Sequence, residues 1–296
     1  MKRLLNNINL PAKFLLLALF ALMLFAVPSW LFIHEGNQQI NVKELELQGI
    51  PVEKEMLSLL NLMQRHRAEA AIAIATNDPA TPNRLALKAR IDQLNAALLT
   101  TLSATSHNDA LLQRFNALTA EWEQLQRDID SRNLTLATSL NRHAEVIRSA
   151  LDLNVDVLDF YSLSLDADLN TYQFIISSFS RLPDLTETLG QIRARGTSLL
   201  AKKDGIEDSD YARMEFQIRN GRNALRLYNA NLMKSLETDE EVRAKFGGKG
   251  EAALKQASEA LKIAEDVFVN RTKTDLKPAE FVALFTQAIN QYNTFG

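Results

Sequence analysis

The sequence LLQRFNALTAEWEQLQRDI, residues 111–129, decides the fold class. Its large apolar side chains recur at alternating intervals of four and three residues, at Leu111, Phe115, Leu118, Trp122, Leu125 and Ile129. Because an α-helix completes a turn every 3.6 residues, this spacing places the apolar side chains on one face of a helix. A seven-residue repeat of this kind is typical of helices that pack against one another in a bundle.

The same spacing recurs along the rest of the chain and predicts a series of long helices. The first has a seam of Met56, Leu60, Met63, Arg67, Ala70 and Ile74, is interrupted at Gly49-Ile50-Pro51 and ends near Thr76. The later helices are predicted to cover about 83–104, 109–129, 136–158, 169–199, 214–232 with an end at Gly247-Gly248, 250–271 and 277–293. We expect a junction within 129–136, and Pro183 marks either a kink or the start of a new helix.

The placement of glycine and proline excludes a β-rich fold. No glycine occurs between Gly49 and Gly190, and no proline between Pro82 and Pro183. A compact β protein needs a turn about every ten residues, and such turns are built mainly with these residues. We therefore predict an all-α protein. Since one four-helix bundle would use only about half of this length, we expect two stacked four-helix-bundle modules that share long helices.

An uncharged run of 20 residues, FLLLALFALMLFAVPSWLFI at 14–33, lies near the N-terminus. A helix of that length spans about 30 Å, the thickness of the hydrocarbon layer of a membrane. A cleaved signal peptide would have a shorter apolar core, of about 7–15 residues, followed by small residues at the cleavage site. This run instead ends in Trp30, Leu31, Phe32 and Ile33. We therefore expect an uncleaved transmembrane helix, rather than a signal peptide or a buried helix of a soluble protein.

The charges on either side of this run predict its orientation. Three basic residues precede it, and the first acidic residue, Glu35, follows it. Positively charged residues are retained on the cytoplasmic side of a membrane. We therefore expect 1–13 to be a cytoplasmic N-terminus, 14–33 to cross the inner membrane and 34–296 to form a periplasmic helical-bundle region.

The composition argues against an enzyme. The chain has no cysteine, and its four histidines are scattered, with no pair spaced four residues apart. Disulfides, zinc-thiolate sites and helical His-His metal sites are therefore not expected. No phosphate-binding glycine loop, dinucleotide fingerprint or nucleophile motif occurs, and a net charge of −3 gives no case for nucleic-acid binding. We expect a protein that is not an enzyme and has no cofactor, no metal and no nucleic-acid partner.

Arg67 is the first candidate for ligand binding, because it occupies a seam position where the repeat calls for an apolar residue. A buried guanidinium without a partner is costly, so Arg67 needs a carboxylate, backbone carbonyls or an anionic ligand. An ion pair inside the bundle is the simplest of these. The flanking residues Arg65 and His66 favour an anion, because arginine side chains suit planar and tetrahedral anions.

Arg193 is the second candidate. Steps of seven residues from Tyr172 lead through Phe179 and Thr186 to Arg193, so this arginine shares a helix face with aromatic core positions. Ordinary bundle packing and a ligand-binding role both fit this position. Gly190 lies one turn before Arg193 and allows a second helix to approach closely.

Two blocks of the sequence resemble the sensory regions of bacterial methyl-accepting chemotaxis proteins. The first is ELQGIPVEKEMLSLLNLMQRHR at 46–67, which follows the receptor pattern at Gly49, Ile50, Gln64, His66 and Arg67. The second is LSLDADLNTYQFIISSFSRLPDLTETLGQIRARG at 163–196, which follows it at Leu165, Asp166, Tyr172, Leu182, Pro183, Leu189, Gly190, Arg193 and Gly196. Ala68 departs from the pattern, since the receptors have glycine at this point.

The resemblance covers about 10–200 and implies a homodimeric receptor that senses a small molecule and passes the signal across the inner membrane by helix movement. The chain is also distantly similar to helical sensors of the nitrate/nitrite-sensing (NIT) type, in which arginines on facing helices hold a small anion. This similarity implies Arg67 and Arg193 as the ligand pair, with His66, Arg65 and Tyr172 as further candidates.

The resemblance leaves alternatives open. Similar sensory regions occur on transmembrane histidine kinases and diguanylate cyclases, and a membrane-tethered structural bundle with no ligand is a third reading. Receptors of this kind continue into a cytoplasmic output region, through which they reach their signalling partners. We therefore expect the chain to be the N-terminal part of a longer receptor.

Overall fold

A computed structural model of the chain describes residues 9–105, 108–166, 168–202, 205–273 and 275–293. These residues form α-helices and contain no β-strand, which confirms the predicted all-α class. The helices are α1 Leu10–Ala75, α2 Pro82–Ala104, α3 Asp109–Asp130, α4 Leu136–Phe160, α5 Leu169–Ile175, α6 Leu182–Leu200, α7 Asp208–Thr238, α8 Glu240–Phe268 and α9 Pro278–Asn293. A 3₁₀ turn, Leu163–Leu165, follows α4, and a π-helical turn, Ile176–Arg181, joins α5 to α6.

Most helix ends fall where the sequence signals predict them. The turn after α1 contains Asn77 in the left-handed conformation, with φ 54°, which asparagine tolerates better than most residues. Pro82 stands at the start of α2, where its missing N–H costs nothing. The predicted junction within 129–136 is confirmed, and Thr135 caps α4 by accepting a hydrogen bond from the N–H of Thr138.

The predicted break at Gly49-Ile50-Pro51 is wrong, because α1 runs through it as one helix from Leu10 to Ala75. Pro51 cannot donate to the carbonyl of Leu47, yet the helix continues. Gly49 serves a close helix contact instead of a break, since a Cβ at this position would lie 2.4 Å from the Cβ of Tyr161.

The predicted helix end at Gly247-Gly248 is also wrong, and the helix predicted from about residue 250 begins earlier. The chain breaks at Asp239, between α7 and α8, and both glycines lie inside α8. The carboxylate of Asp239 accepts hydrogen bonds from the N–H groups of Glu241 and Val242, so it caps α8. The N-cap at Asp239 therefore determines where α8 begins. The two glycines inside α8 only lower the stability of that helix.

The chain divides into two units, residues 1–48 and 49–296. The first unit contains the apolar run at 14–33, whose large side chains are exposed. Among the described residues, α1 is the one helix long and apolar enough to cross a membrane.

The second unit contains two groups of four packed helices. The rest of α1 packs with α2, α3 and α4 around buried side chains that include Met56, Leu60, Met63, Ile91, Leu98, Phe115, Trp122, Leu125 and Ile147. Helices α6 to α9 enclose a second core that includes Leu185, Leu189, Ile192, Met214, Ile218, Leu261, Phe281, Phe285 and Tyr292. These two groups correspond to the two predicted four-helix bundles, although the expected sharing of long helices is not seen, since each of these described helices belongs to one group. Helix α1 contacts α6 of the second bundle through Arg67.

Candidate anion site

Arg67 projects from α1 toward α6 and is buried, with 3% of its surface exposed. Its Nη1 donates a hydrogen bond of 2.6 Å to Oε1 of Glu187, and the two side chains form a buried ion pair. The seam position therefore holds a charge with a carboxylate partner, which was the simplest of the expectations from the sequence. The pair connects the two bundles, because the first supplies the arginine and the second the glutamate.

The pair uses one nitrogen of the guanidinium and one oxygen of the carboxylate. Glu187 Oε1 also accepts from Gln191 Nε2 at 2.8 Å, whereas Glu187 Oε2 has no hydrogen-bond partner among the described residues. Within the same part of the chain, Arg67 Nη2 is buried and likewise unpartnered. A bidentate arginine–carboxylate pair would use both nitrogens and both oxygens. The observed pair thus leaves one donor nitrogen of Arg67 available for another acceptor.

Gly190 provides the space that this nitrogen occupies. Glu187, Gly190 and Arg193 are spaced three residues apart, so they lie close together on one side of α6. A Cβ at Gly190 would lie 2.7 Å from Arg67 Nη2, closer than real Cβ atoms approach other heavy atoms. Any larger residue at this position would therefore displace the guanidinium of Arg67.

Arg193 brings a second positive charge to the same place. Its side chain is half-buried, and its Nη1 donates a 2.9 Å hydrogen bond to Oγ1 of Thr286 on α9. Burial lowers the pKa of Arg193, and the charge of Arg67 lowers it further, whereas Glu187 raises it. An arginine remains protonated despite such shifts. The cluster thus contains two guanidinium groups and one carboxylate, which give it a formal charge of +1.

His66 points away from this cluster and into the core of the first bundle. Its ring packs edge-on against Trp122, with 4.8 Å between the ring centroids, and its Nδ1 lies 3.1 Å from Nε2 of His143. The carbonyl of Ser139 accepts a hydrogen bond from His143 Nδ1, so Nε2 of His143 is the acceptor and His66 is the donor. Burial lowers the pKa of His66 to about 2 and that of His143 to about 3, and both rings are neutral.

The other two sequence candidates lie outside the cluster. Arg65 is exposed and, two residues before Arg67, it projects from nearly the opposite side of α1. Tyr172 is half-buried on α5, and within the described part of the chain no side-chain hydrogen bond joins it to Arg67. The structure thus brings together Arg67 and Arg193, while a ligand role for Arg65, His66 and Tyr172 stays a prediction without a supporting contact.

Three polar members of the cluster were not predicted: Glu187, Gln191 and Thr286. One signal for Glu187 was present, since its spacing of three residues to Gly190 and of six to Arg193 places all three on one helix face. No sequence signal points to Thr286, because it reaches the site from a helix 93 residues farther along the chain.

The model of the protein family described as "nitrate and nitrite sensing" (NIT) matches residues 58–295, which is most of the chain. The chain belongs to the NIT family. The matched range of this NIT domain contains every member of the Arg67–Arg193 cluster and begins after the apolar run.

A solved structure has the same fold as the NIT domain. The structure of the NasR transcription antiterminator superposes with a TM-score of 0.68, covers 91% of this chain and 71% of its own, and is 15% identical in sequence. At this identity the likeness concerns the fold alone. No curated protein matches the chain in sequence.

Proposed function

We propose that the chain is the ligand-sensing region of a transmembrane chemoreceptor, and that Arg67 and Arg193 hold nitrate or nitrite between the two bundles. The observation that supports this proposal is the buried, unpartnered Nη2 of Arg67, which lies against Gly190 on the helix that carries a second arginine, Arg193. Membership of the NIT family supports a sensory role for the chain.

The chemistry of the cluster suits a small planar oxyanion. Guanidinium groups donate hydrogen bonds in a fixed, planar arrangement that matches two oxygens of a planar anion. Burial strengthens such bonds, because the surrounding dielectric constant is lower than that of water. Arg67 Nη2 would donate from α1 and Arg193 from α6, so the anion would join the two helices.

Helix α1 offers a route for the signal. It carries the apolar run at 14–33 and, within the same continuous helix, Arg67. An anion that binds one arrangement of α1 and α6 more tightly than another would shift the population between them. Movement of α1 would then be passed through the membrane to an output region beyond this chain, in a receptor that we propose is a homodimer.

The proposed topology follows the charge distribution, with 1–13 in the cytoplasm, 14–33 in the inner membrane and 34–296 in the periplasm. Residues 1–8 lie outside the described part of the chain. The same sensing region would serve a transmembrane histidine kinase or a diguanylate cyclase, which differ from a chemoreceptor only beyond the membrane.

Calorimetric titration of the full chain in detergent with nitrate and nitrite tests the ligand assignment. We expect saturable binding of the anion by the wild-type protein and a loss of affinity of about 30-fold or more in Arg193→Ala, the effect of removing one charged hydrogen bond. Arg67→Lys should weaken binding as well, because it retains the charge but not the fork of donors. Arg65→Ala, an exposed arginine on the same helix, serves as the matched control and should bind as the wild type does.

Two results would contradict the proposal. Absence of nitrate and nitrite binding by the folded wild-type chain would indicate a structural bundle, in which the Arg67–Glu187 ion pair only joins two helices. Equal affinities in wild type, Arg193→Ala and Arg67→Lys would place the ligand at another site.

A further inference from the structure

We infer that Glu187 sets the charge of the ligand, so that the cluster accepts monovalent oxyanions and rejects divalent ones such as sulfate. This inference rests on the proposed anion site between Arg67 and Arg193. It assigns to Glu187 the role of a specificity-determining residue that stays beside the ligand and is not displaced by it.

The position of Glu187 is fixed by its neighbours. The residue is 2% exposed, and its Oε1 accepts hydrogen bonds from Arg67 Nη1 and Gln191 Nε2. If Glu187 moved away from Arg67, its carboxylate would either stay buried without an ion-pair partner or leave the bundle. Both changes are energetically unfavourable. Arg67 Nη2 remains available to a ligand while Nη1 stays bonded to Glu187, so both can be held at once.

The net charge of the cluster follows from its members. Arg67 and Arg193 contribute two positive charges and Glu187 one negative charge, and Thr286 on α9 contributes none. On the side of the first bundle, burial lowers the pKa of both His66 and His143, so these rings add no charge near neutral pH. The cluster therefore has a charge of +1 before a ligand binds.

A further carboxylate near the cluster does not alter this sum. Burial raises the pKa of Asp184, which lies one turn before Glu187; the charges of Arg148 and Arg181 lower this pKa, and those of Asp152 and Glu187 raise it. Arg148 and Arg181 balance the charges of Asp152 and Asp184, so these four residues add no net charge.

The ligand charge decides the electrostatic outcome. A monovalent anion brings the charge of the site to zero, whereas a divalent anion leaves one uncompensated negative charge in a buried place beside Glu187. Such a charge is strongly unfavourable where the dielectric constant is low. Discrimination by an unpaired or repelling group of this kind is a general source of specificity.

Titration of the full chain in detergent with sodium nitrate and sodium sulfate, by calorimetry, tests this role. We compare the ratio of the two affinities in wild type, Glu187→Gln and Glu187→Asp. Glu187→Gln keeps the shape and an oxygen acceptor for Arg67 but removes the charge, so the nitrate-to-sulfate ratio should fall by about tenfold or more. Glu187→Asp keeps the charge and should keep the wild-type preference for nitrate. Asp184→Asn removes a neighbouring carboxylate that is not hydrogen-bonded to Arg67; it is the matched control and should change the ratio by less than Glu187→Gln does.

An unchanged ratio in folded Glu187→Gln would overturn the role of Glu187, and so would an equal fall in Asp184→Asn. A wild-type chain that binds sulfate as tightly as nitrate would contradict it too. These results can be distinguished from failure of the proposed function. If the proposed function is wrong, the wild-type chain binds no monovalent oxyanion at all.

Discussion

At the scale of single residues, Gly190 joins helix packing to ligand binding. Its missing side chain leaves room for Arg67 Nη2, at the cost of a weaker helix. Gly190→Ala should raise helix propensity by up to about 1 kcal/mol but displace the guanidinium, so nitrate affinity should fall by about tenfold while the protein stays folded. Calorimetry and urea unfolding measure the two effects.

Gly248→Ala is the control for Gly190→Ala. Gly248 lies inside α8, and a Cβ there would meet no atom within 4 Å. This variant should gain stability without a change in nitrate affinity. Equal affinities in the two variants would contradict the close approach of Arg67 to Gly190.

Glu53 predicts an unusual dependence of stability on pH. It is fully buried in α1, neither of its oxygens has a hydrogen-bond partner among the described residues, and burial raises its pKa from 4.5 to about 9. The folded state therefore keeps a proton that the unfolded state releases above pH 4.5. The contribution of protonated Glu53 to stability is therefore complete below that pH. As the pH rises toward 9, the free energy of unfolding falls by about 1.4 kcal/mol per pH unit.

Urea unfolding between pH 7.5 and pH 8.5 measures this loss, in a range where histidines with an ordinary pKa are largely deprotonated. Glu53→Gln, which cannot ionise, should remove most of the decline. Glu44→Gln alters an exposed glutamate of the same helix and should leave the decline in place. A wild-type free energy of unfolding that stays constant over this range would contradict a protonated Glu53.

At the scale of elements, the π-helical turn before α6 has a local cause. Pro183 has no N–H, so the carbonyl of Phe179, four residues earlier, lacks its α-helical donor. Asn154 on α4 replaces that donor, because its Nδ2 donates a 2.7 Å hydrogen bond to this carbonyl. A π-helical turn is one local distortion by which a helix can accommodate such an interruption.

Asn154→Ala should therefore lower the free energy of unfolding by about 1–3 kcal/mol, the cost of leaving a buried carbonyl without a donor. In a Pro183→Ala background the helix can supply its own N–H, and the cost of Asn154→Ala should be smaller. A double-mutant cycle by urea unfolding measures this coupling. Strictly additive effects of the two substitutions would show that Asn154 does not stand in for the missing donor.

The helices could be predicted from sequence because a seven-residue apolar repeat and caps such as Thr135 are local properties. The break at Gly49 was predicted wrongly since a glycine that serves close packing looks, in sequence, like one that ends a helix. The partner of Arg67 could not be predicted, because Glu187 lies 120 residues away and only the packing of α1 on α6 brings it there.

At the scale of the whole molecule, the absence of cysteine allows a clean test of topology. Gln38 lies after the apolar run and Asn7 lies before it, so the variants Gln38→Cys and Asn7→Cys each place one thiol on one side of the run. A membrane-impermeant maleimide applied to intact, outer-membrane-permeabilised cells should label the first variant at once and the second only after lysis. The reverse pattern would invert the proposed orientation, and loss of the N-terminal segment from the isolated protein would indicate a cleaved signal peptide.

A crystal structure of the chain grown with nitrate tests the central claim most directly. We predict a planar anion bonded to Arg67 Nη2 and to the guanidinium of Arg193, beside Gly190, with Glu187 still paired with Arg67 Nη1. Nitrate bound elsewhere, with Arg67 and Arg193 unchanged, would contradict the claim that these two arginines form the sensing site.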